Sequence, residues 1–176
     1  MTMARNKEAL FLTITEDVRS RHYLNVGSLL AGIGMECYVG KASSPKQFKK
    51  SLSENKVDYL ILSGHGMECC FTDKDLLKMP WEDVALDICE TNCLHKNAVV
   101  FMYCCQGGSK EVVDLLLDTC SKIKYVVGTP EDATPTEFML VVNNLIYCLE
   151  VRKISIESAV KLVSQVIGKK FVVHSL

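Results

Sequence analysis

Apolar positions along the chain follow two rhythms. Short, nearly unbroken apolar runs recur at Ala9–Thr15, Val57–Leu62, Ala98–Met102 and Tyr125–Val127, with a briefer one at Cys37–Val39. Runs of this length read as strands buried on both faces. Between them, apolar residues fall three and four apart, as on one side of a helix. Tyr23–Met35 is such a stretch, with Leu24, Val26, Leu29, Leu30 and Ile33 on its apolar side and Gly34 near its end. Ser43-Ser44-Pro45 opens another, in which Phe48 and Leu52 face inward. Trp81–Thr91, Glu111–Asp118, Thr136–Val151 and Ser155–Ile167 complete the predicted helices. Strands alternating with helices imply an α/β fold of three layers, a mostly parallel central sheet with helices on both faces. The terminal Phe171–Val173 reads as a further strand. It could be an edge where a second copy pairs to form a homodimer, or it could pair within the chain.

Length and composition narrow the class. The 176 residues are 48% apolar, enough for one substantial core, so residues 1–176 are expected to form a single domain. Twenty basic against 21 acidic residues leave a net charge of −1. Neither nucleic acid nor a membrane surface is therefore an expected partner. The apolar stretch Ala9–Ile14 stops at Glu16, too short for a signal core or a membrane span. A cytoplasmic location is expected, with the nine cysteines as free thiols.

Three loops stand out, and each follows a predicted strand. They are Ser63-Gly64-His65-Gly66, Tyr103-Cys104-Cys105-Gln106-Gly107-Gly108, and Gly128-Thr129-Pro130. In a parallel sheet such loops gather at one edge, where ligands bind. His65 and Cys105, 40 positions apart, can then meet. An imidazole that accepts a thiol proton yields a nucleophilic thiolate, and it can later protonate a leaving amine. The flanking glycines let backbone N–H groups approach an oxyanion. Gly66 and Cys105 are the first candidates for that role, with Gly107 beside them.

These two loops resemble the motifs of the caspase-like cysteine peptidases. Leu62-Ser63-Gly64-His65-Gly66 is similar to their histidine motif, and Cys104-Cys105-Gln106-Gly107 to their nucleophile motif. Lys96–Phe101 resembles the strand leading into the nucleophile. The tail, from Val126-Val127-Gly128-Thr129-Pro130-Glu131-Asp132-Ala133-Thr134 through Phe138, Ser155 and Ala159, is closer to the related CHAT domains. The likeness runs from about residue 8 to 168, but only the two motif loops are specific. It implies that His65 is the general base and Cys105 the nucleophile of a cysteine endopeptidase acting on a protein or peptide, in a setting such as cell death or defence. Cys104 takes the place of the family's alanine, which favours a packing role, with a swap of roles left open.

Departures from the family bear on specificity. Tyr103 replaces the glutamine that helps line the pocket for the residue before the scissile bond. Arg19 and Arg21 follow the first strand, close to where a caspase carries one arginine for aspartate. Where a second is expected, the chain has Glu131 and Asp132, and Glu16 and Asp17 also end the first strand. Acidic residues there suit a Lys or Arg side chain, although surface-loop roles suit them equally. Only Gly107–Lys124 separates the nucleophile strand from the next, so activity is expected in an uncut chain.

Other classes compete. A catalytically inactive module that engages an activating or inhibitory protein partner would keep the same fold. Cys89 and Cys93, near His95 and with Cys69-Cys70, are the one arrangement suggesting zinc. Their four-residue spacing is also ordinary for a helix core, so no metal and no cofactor are expected. Gly107-Gly108-Ser109-Lys110 lacks the spacing of a phosphate-binding loop.

Overall fold

The computed structural model describes residues 5–15, 20–73 and 77–175. The elements run β1 (Glu8–Thr13), α1 (Ser20–Gly32), β2 (Glu36–Lys41), α2 (Pro45–Ser53), β3 (Val57–Ser63), β4 (His65–Gly66), β5 (Cys70–Thr72), β6 (Lys78–Pro80) and α3 (Trp81–Glu90). They continue through β7 (Leu94–Tyr103), α4 (Lys110–Thr119), β8 (Ile123–Gly128), α5 (Pro135–Glu150), α6 (Ile156–Ile167) and β9 (Val172–His174).

The unbroken apolar runs have a simple origin. Successive strand residues point to opposite faces, and here both faces are covered. Leu10 and Leu12 of β1, Leu60 and Leu62 of β3, and Val100 and Met102 of β7 face one core, which α2, α3 and α4 complete. Ala9, Phe11, Tyr59, Ile61, Val99, Phe101 and Tyr103 face the other, completed by α1, α5 and α6. The main sheet has the order β2-β1-β3-β7-β8-β9. All its pairings are parallel except β8 with β9. The fold is thus the mostly parallel three-layer α/β architecture that the apolar pattern predicts. The last strand pairs within the chain, antiparallel to β8, and still forms an edge.

Several boundaries shift for physical reasons. β7 starts at Leu94, four residues before the apolar run, although Lys96 and Asn97 are exposed. Asn97 takes a positive φ of 67°, and the pairing with β8 shifts register between Ala98 and Val99. α1 occupies Ser20–Gly32, three residues earlier than its apolar spacing suggests at both ends. A second sheet, β4-β5-β6, occupies the irregular stretch after His65. α4 fills the stretch between β7 and β8 and buries Val112, Val113, Leu116 and Leu117.

Candidate active site

Register brings the two motif loops together. Ser63, the last residue of β3, pairs with Tyr103, the last of β7, and also with Thr13 of β1. His65 and Cys105 lie two residues beyond that paired level, just past the ends of the neighbouring strands β3 and β7. Gly64 N–H donates to Tyr103 O at 3.3 Å, tying the loops at their base. The strand order reverses between β1 and β3, the position where open α/β sheets place ligands.

The approach at Gly66 is tighter still. A Cβ built on Gly66 would fall 1.7 Å from the Cys105 carbonyl oxygen, so only glycine fits. β4 pairs with β5 through His65–Thr72 and Gly66–Phe71. Met67 N–H donates to Cys70 O at 2.9 Å, making Met67–Cys70 a hydrogen-bonded pair. Alternation then makes Gly66–Phe71 a non-hydrogen-bonded pair, which turns the Gly66 N–H away from β5. Gly107 differs, because its N–H donates to Cys104 O at 3.4 Å. Behind it, Gly108 and Gly128 press together. A Cβ on Gly108 would lie 2.5 Å from the Gly128 carbonyl carbon, and Gly108 N–H donates to Thr129 O at 2.9 Å.

The two neighbouring cysteines part company. Cys104 is 1% exposed in the α3/α4 core, and burial pushes its thiol well up, with the adjacent Cys105 adding to the effect. Cys105 is half-buried. It lines a small cleft of about 50 Å³ together with Thr15, Gly64, His65, Tyr103, Ala133, Pro135 and Phe138. Cys105 Sγ accepts from Ala133 N–H at 3.4 Å and lies 3.7 Å from Ala133 O. The turn is sharp, with Gln106 at φ 59°.

Aromatic packing shapes the cleft's inner wall. Tyr103 is 2% exposed, stacks on Phe138 at 4.9 Å, and meets Phe11 edge-on at 5.7 Å. Its hydroxyl donates to Pro135 O at the start of α5. Burial pushes the phenol's pKa up, so the hydroxyl keeps its proton.

Of the acidic residues considered for specificity, Glu131 and Asp132 do not line this cleft. They are exposed on the loop after β8, and Lys169 holds the Asp132 carbonyl at 2.6 Å. Glu16, Asp17 and Arg19 lie outside the described residues, as does the side chain of Arg21. The cleft instead gains Thr15, Ala133 and Pro135. Their loops follow strand ends, which is a signal in the sequence. The backbone contact of Ala133 on Cys105 has no local signal, because 28 residues separate the two.

Of the cysteines considered for zinc, Cys89 is exposed, while Cys93 is buried with its Sγ 3.6 Å from Ile88 O. Among the described residues, no cluster of three or more His, Cys, Asp or Glu could hold a metal ion. No helix among them is long and apolar enough to cross a membrane.

No family model matches the chain, and no curated protein matches it. Solved structures do. An inactive zymogen of a C11 protease from Parabacteroides distasonis is 10% identical with a TM-score of 0.59, covering 99% of this chain and 63% of that one. Separase in the Saccharomyces cerevisiae separase–securin complex is 14% identical with a TM-score of 0.60, over 97% of this chain and 12% of that one. The Arg-specific cysteine proteinase gingipain R is 12% identical with a TM-score of 0.54, over 82% of this chain and 37% of that one. The chain spans less than two thirds of the length of each. At these identities the likeness is one of architecture, and the chain has the fold of the caspase-like cysteine proteases.

Proposed function

We propose that this chain is a cysteine endopeptidase with Cys105 as nucleophile and His65 as general base. The observation that carries the reading is the common register of β3 and β7, with both side chains lining one cleft. The contrast between half-exposed Cys105 and buried Cys104 supports the choice of nucleophile. In the proposed reaction His65 takes the thiol proton as Sγ bonds to the scissile carbonyl carbon. The C–N bond then breaks, and His65 returns the proton to the departing amine. Water, deprotonated by His65, attacks the acyl-enzyme and releases the acid with the free thiol. The Gly66 N–H, turned out of its ladder, is the first donor proposed for the oxyanion, with Cys105 N–H beside it. Gly107 would join only if it released Cys104. The reaction needs no metal or cofactor.

The test is covalent labelling. An acyloxymethyl-ketone or iodoacetamide probe should modify Cys105, with Cys105→Ala unlabelled and His65→Ala slower by about 100-fold, the scale of general-base assistance. Labelling that is indifferent to His65→Ala would sink the dyad.

A second reading rests on Ala133. Both its N–H and its carbonyl oxygen contact Cys105 Sγ, and the cleft is small. An inactive, partner-binding module would keep that contact permanently. In an enzyme, an activating protein partner or the substrate would displace it, and an inhibitory partner would hold it. Because α4 fills the stretch between β7 and β8, activity is proposed for the uncut chain. A preference for Lys or Arg before the scissile bond is proposed from the acidic loops after β1 (Glu16 and Asp17) and β8 (Glu131 and Asp132), the latter two standing outside the cleft itself, and one fold neighbour is Arg-specific by its name. Fluorogenic peptides differing only at that residue decide it, and cleavage only after Asp would end the idea. A cytoplasmic setting and a homodimer through the free edge of β9 complete the proposal.

A further inference from the structure

A second, larger recess of about 540 Å³ opens on the opposite face of the sheet from the cleft, among the residues that follow each member of the dyad. One wall is the turn after His65, with Glu68 and Cys69. The other is α4, the helix after Cys105, with Glu111 and Leu115. Trp81 and Val112 supply apolar surface, and Glu82 stands beside them. We infer that this groove holds the segment of a polypeptide on the leaving-amine side of the scissile bond, and that it favours lysine and arginine there. The inference rests on the peptidase reading above.

Three observations converge. The first is placement along the chain. A peptide whose carbonyl sits at Cys105 must extend both ways, beyond a cleft of only about 50 Å³. His65 protonates the leaving amine, so the leaving segment starts beside His65. The strand that carries His65 runs directly into the wall of the groove.

The second observation is charge. Among the described residues, Glu68, Glu82 and Glu111 line the groove against one basic residue, Lys78. None of the three carboxylates is in a salt bridge among the described residues. Glu82 and Glu111 also sit in helix first turns, which favours an acid there. That preference does not account for Glu68, which belongs to no helix. The third is shape. Long basic side chains lay their methylene stems on apolar surface and reach a carboxylate with the charged head. Apolar walls with an acidic rim offer both.

Trp81 is the only tryptophan in the chain, so the chain's tryptophan fluorescence comes from a residue that lines this groove. Its indole N–H donates to Met67 O at 2.9 Å, coupling it to the wall that a peptide would press on. The first experiment titrates the full Cys105→Ala chain with acetyl-Ala-Lys-Leu-Lys-Ala-Lys-amide and with the same peptide carrying Glu for Lys. The lysine peptide should give a saturable emission change and bind at least about tenfold tighter. In the double variant Glu68→Gln/Glu111→Gln that ratio should fall toward one. Carboxylates that serve only their helix ends would lower thermal stability and leave the ratio unchanged, which would overturn the inference. Equal binding of the two peptides, or none, would overturn it as well.

The second experiment uses the active chain and internally quenched peptides with a common acyl side and Lys or Glu on the leaving side. The kcat/KM ratio should again be about tenfold and should collapse in the double variant. A chain that cleaves both equally keeps the peptidase reading and loses this one. A chain that binds the lysine peptide selectively, yet never labels at Cys105, loses the peptidase reading and the assignment to the leaving segment with it.

Discussion

Two adjacent cysteines meet opposite fates because strand alternation carries past the end of β7. Tyr103 faces the α5 core and Cys104 the α3/α4 core, so Cys105 returns to the Tyr103 side, where the cleft opens. The following Gln106-Gly107 suggests the same register from sequence. What the sequence does not reveal is which partner touches the sulfur, because the Ala133 contact depends on how β8 stacks beside β7. The tightest constraint at this scale is Gly66. An added methyl would strike the Cys105 carbonyl, which is main chain and cannot swing aside. Gly66→Ala should therefore cost about 1–3 kcal/mol, the usual penalty of overpacking. It should also push the two loops apart. A urea melt together with the probe-labelling rate of Cys105 checks both. Stability and rate equal to those of the parent chain would mean that the loops are not in contact.

Elements position that pair, and the one nearest Cys105 is α5. Its start is a capping box. Thr134 Oγ1 accepts from Glu137 N–H at 3.2 Å, and Thr134 N–H donates to a Glu137 carboxylate oxygen at 2.6 Å. The backbone bond from Thr134 holds the Glu137 carboxyl below its ordinary value. A depressed carboxyl stabilises the fold above the unfolded value of about 4.3, and that contribution fades as pH falls through the folded value. Ala133 is the residue just before the box, so the box also holds the contact on Cys105. Thr134→Ala should cost about 1 kcal/mol and, by loosening Ala133, should speed probe labelling of Cys105. Slower labelling would mean that Ala133 helps the thiol rather than covers it. The Thr134-Pro135-Thr136-Glu137 spacing carries this start in the sequence, one residue earlier than the apolar pattern alone suggests. The β4-β5-β6 sheet is illegible by comparison. Its strands are two and three residues long, too short for periodicity to register, and β4 to β5 turns without an Asn-Gly or Asp-Gly signal.

Across the whole molecule, the sheet separates chemistry from anchoring. The cleft lies at the carboxyl ends of the strands, and a network of charged groups lies at the other end. There Asp58, the one polar interruption within the apolar run of β3, accepts two bonds from Arg5 at 2.7 and 2.9 Å and a third from Glu8 N–H at 2.9 Å. The interruption visible in the sequence is thus a tie between β3 and the chain entering β1, at a point where the β3–β7 register shifts. Glu150, at the end of α5, closes the same edge. It accepts from Lys7 Nζ at 2.6 Å and from the Tyr59 hydroxyl, linking helix to sheet. Desolvation would raise its carboxyl, but the bonds from Lys7 and Tyr59 outweigh it and leave the group below its ordinary value. By the same sign rule, Glu150 stabilises the fold above about pH 4.3 and ceases to do so as pH falls through its lowered folded value. Glu150→Gln should lose about 1.5–3 kcal/mol at pH 7, the scale of hydrogen bonds to a charged group. The gap between parent and variant should narrow steadily as the pH drops below 4, because the parent's carboxyl then becomes neutral as well. Urea melts at pH 7 and at about pH 3 measure that gap. A gap independent of pH would mean that Glu150 acts by shape alone. Because the network lies at the far end of the sheet from the dyad, the variant should also keep the parent's Cys105 labelling rate at pH 7.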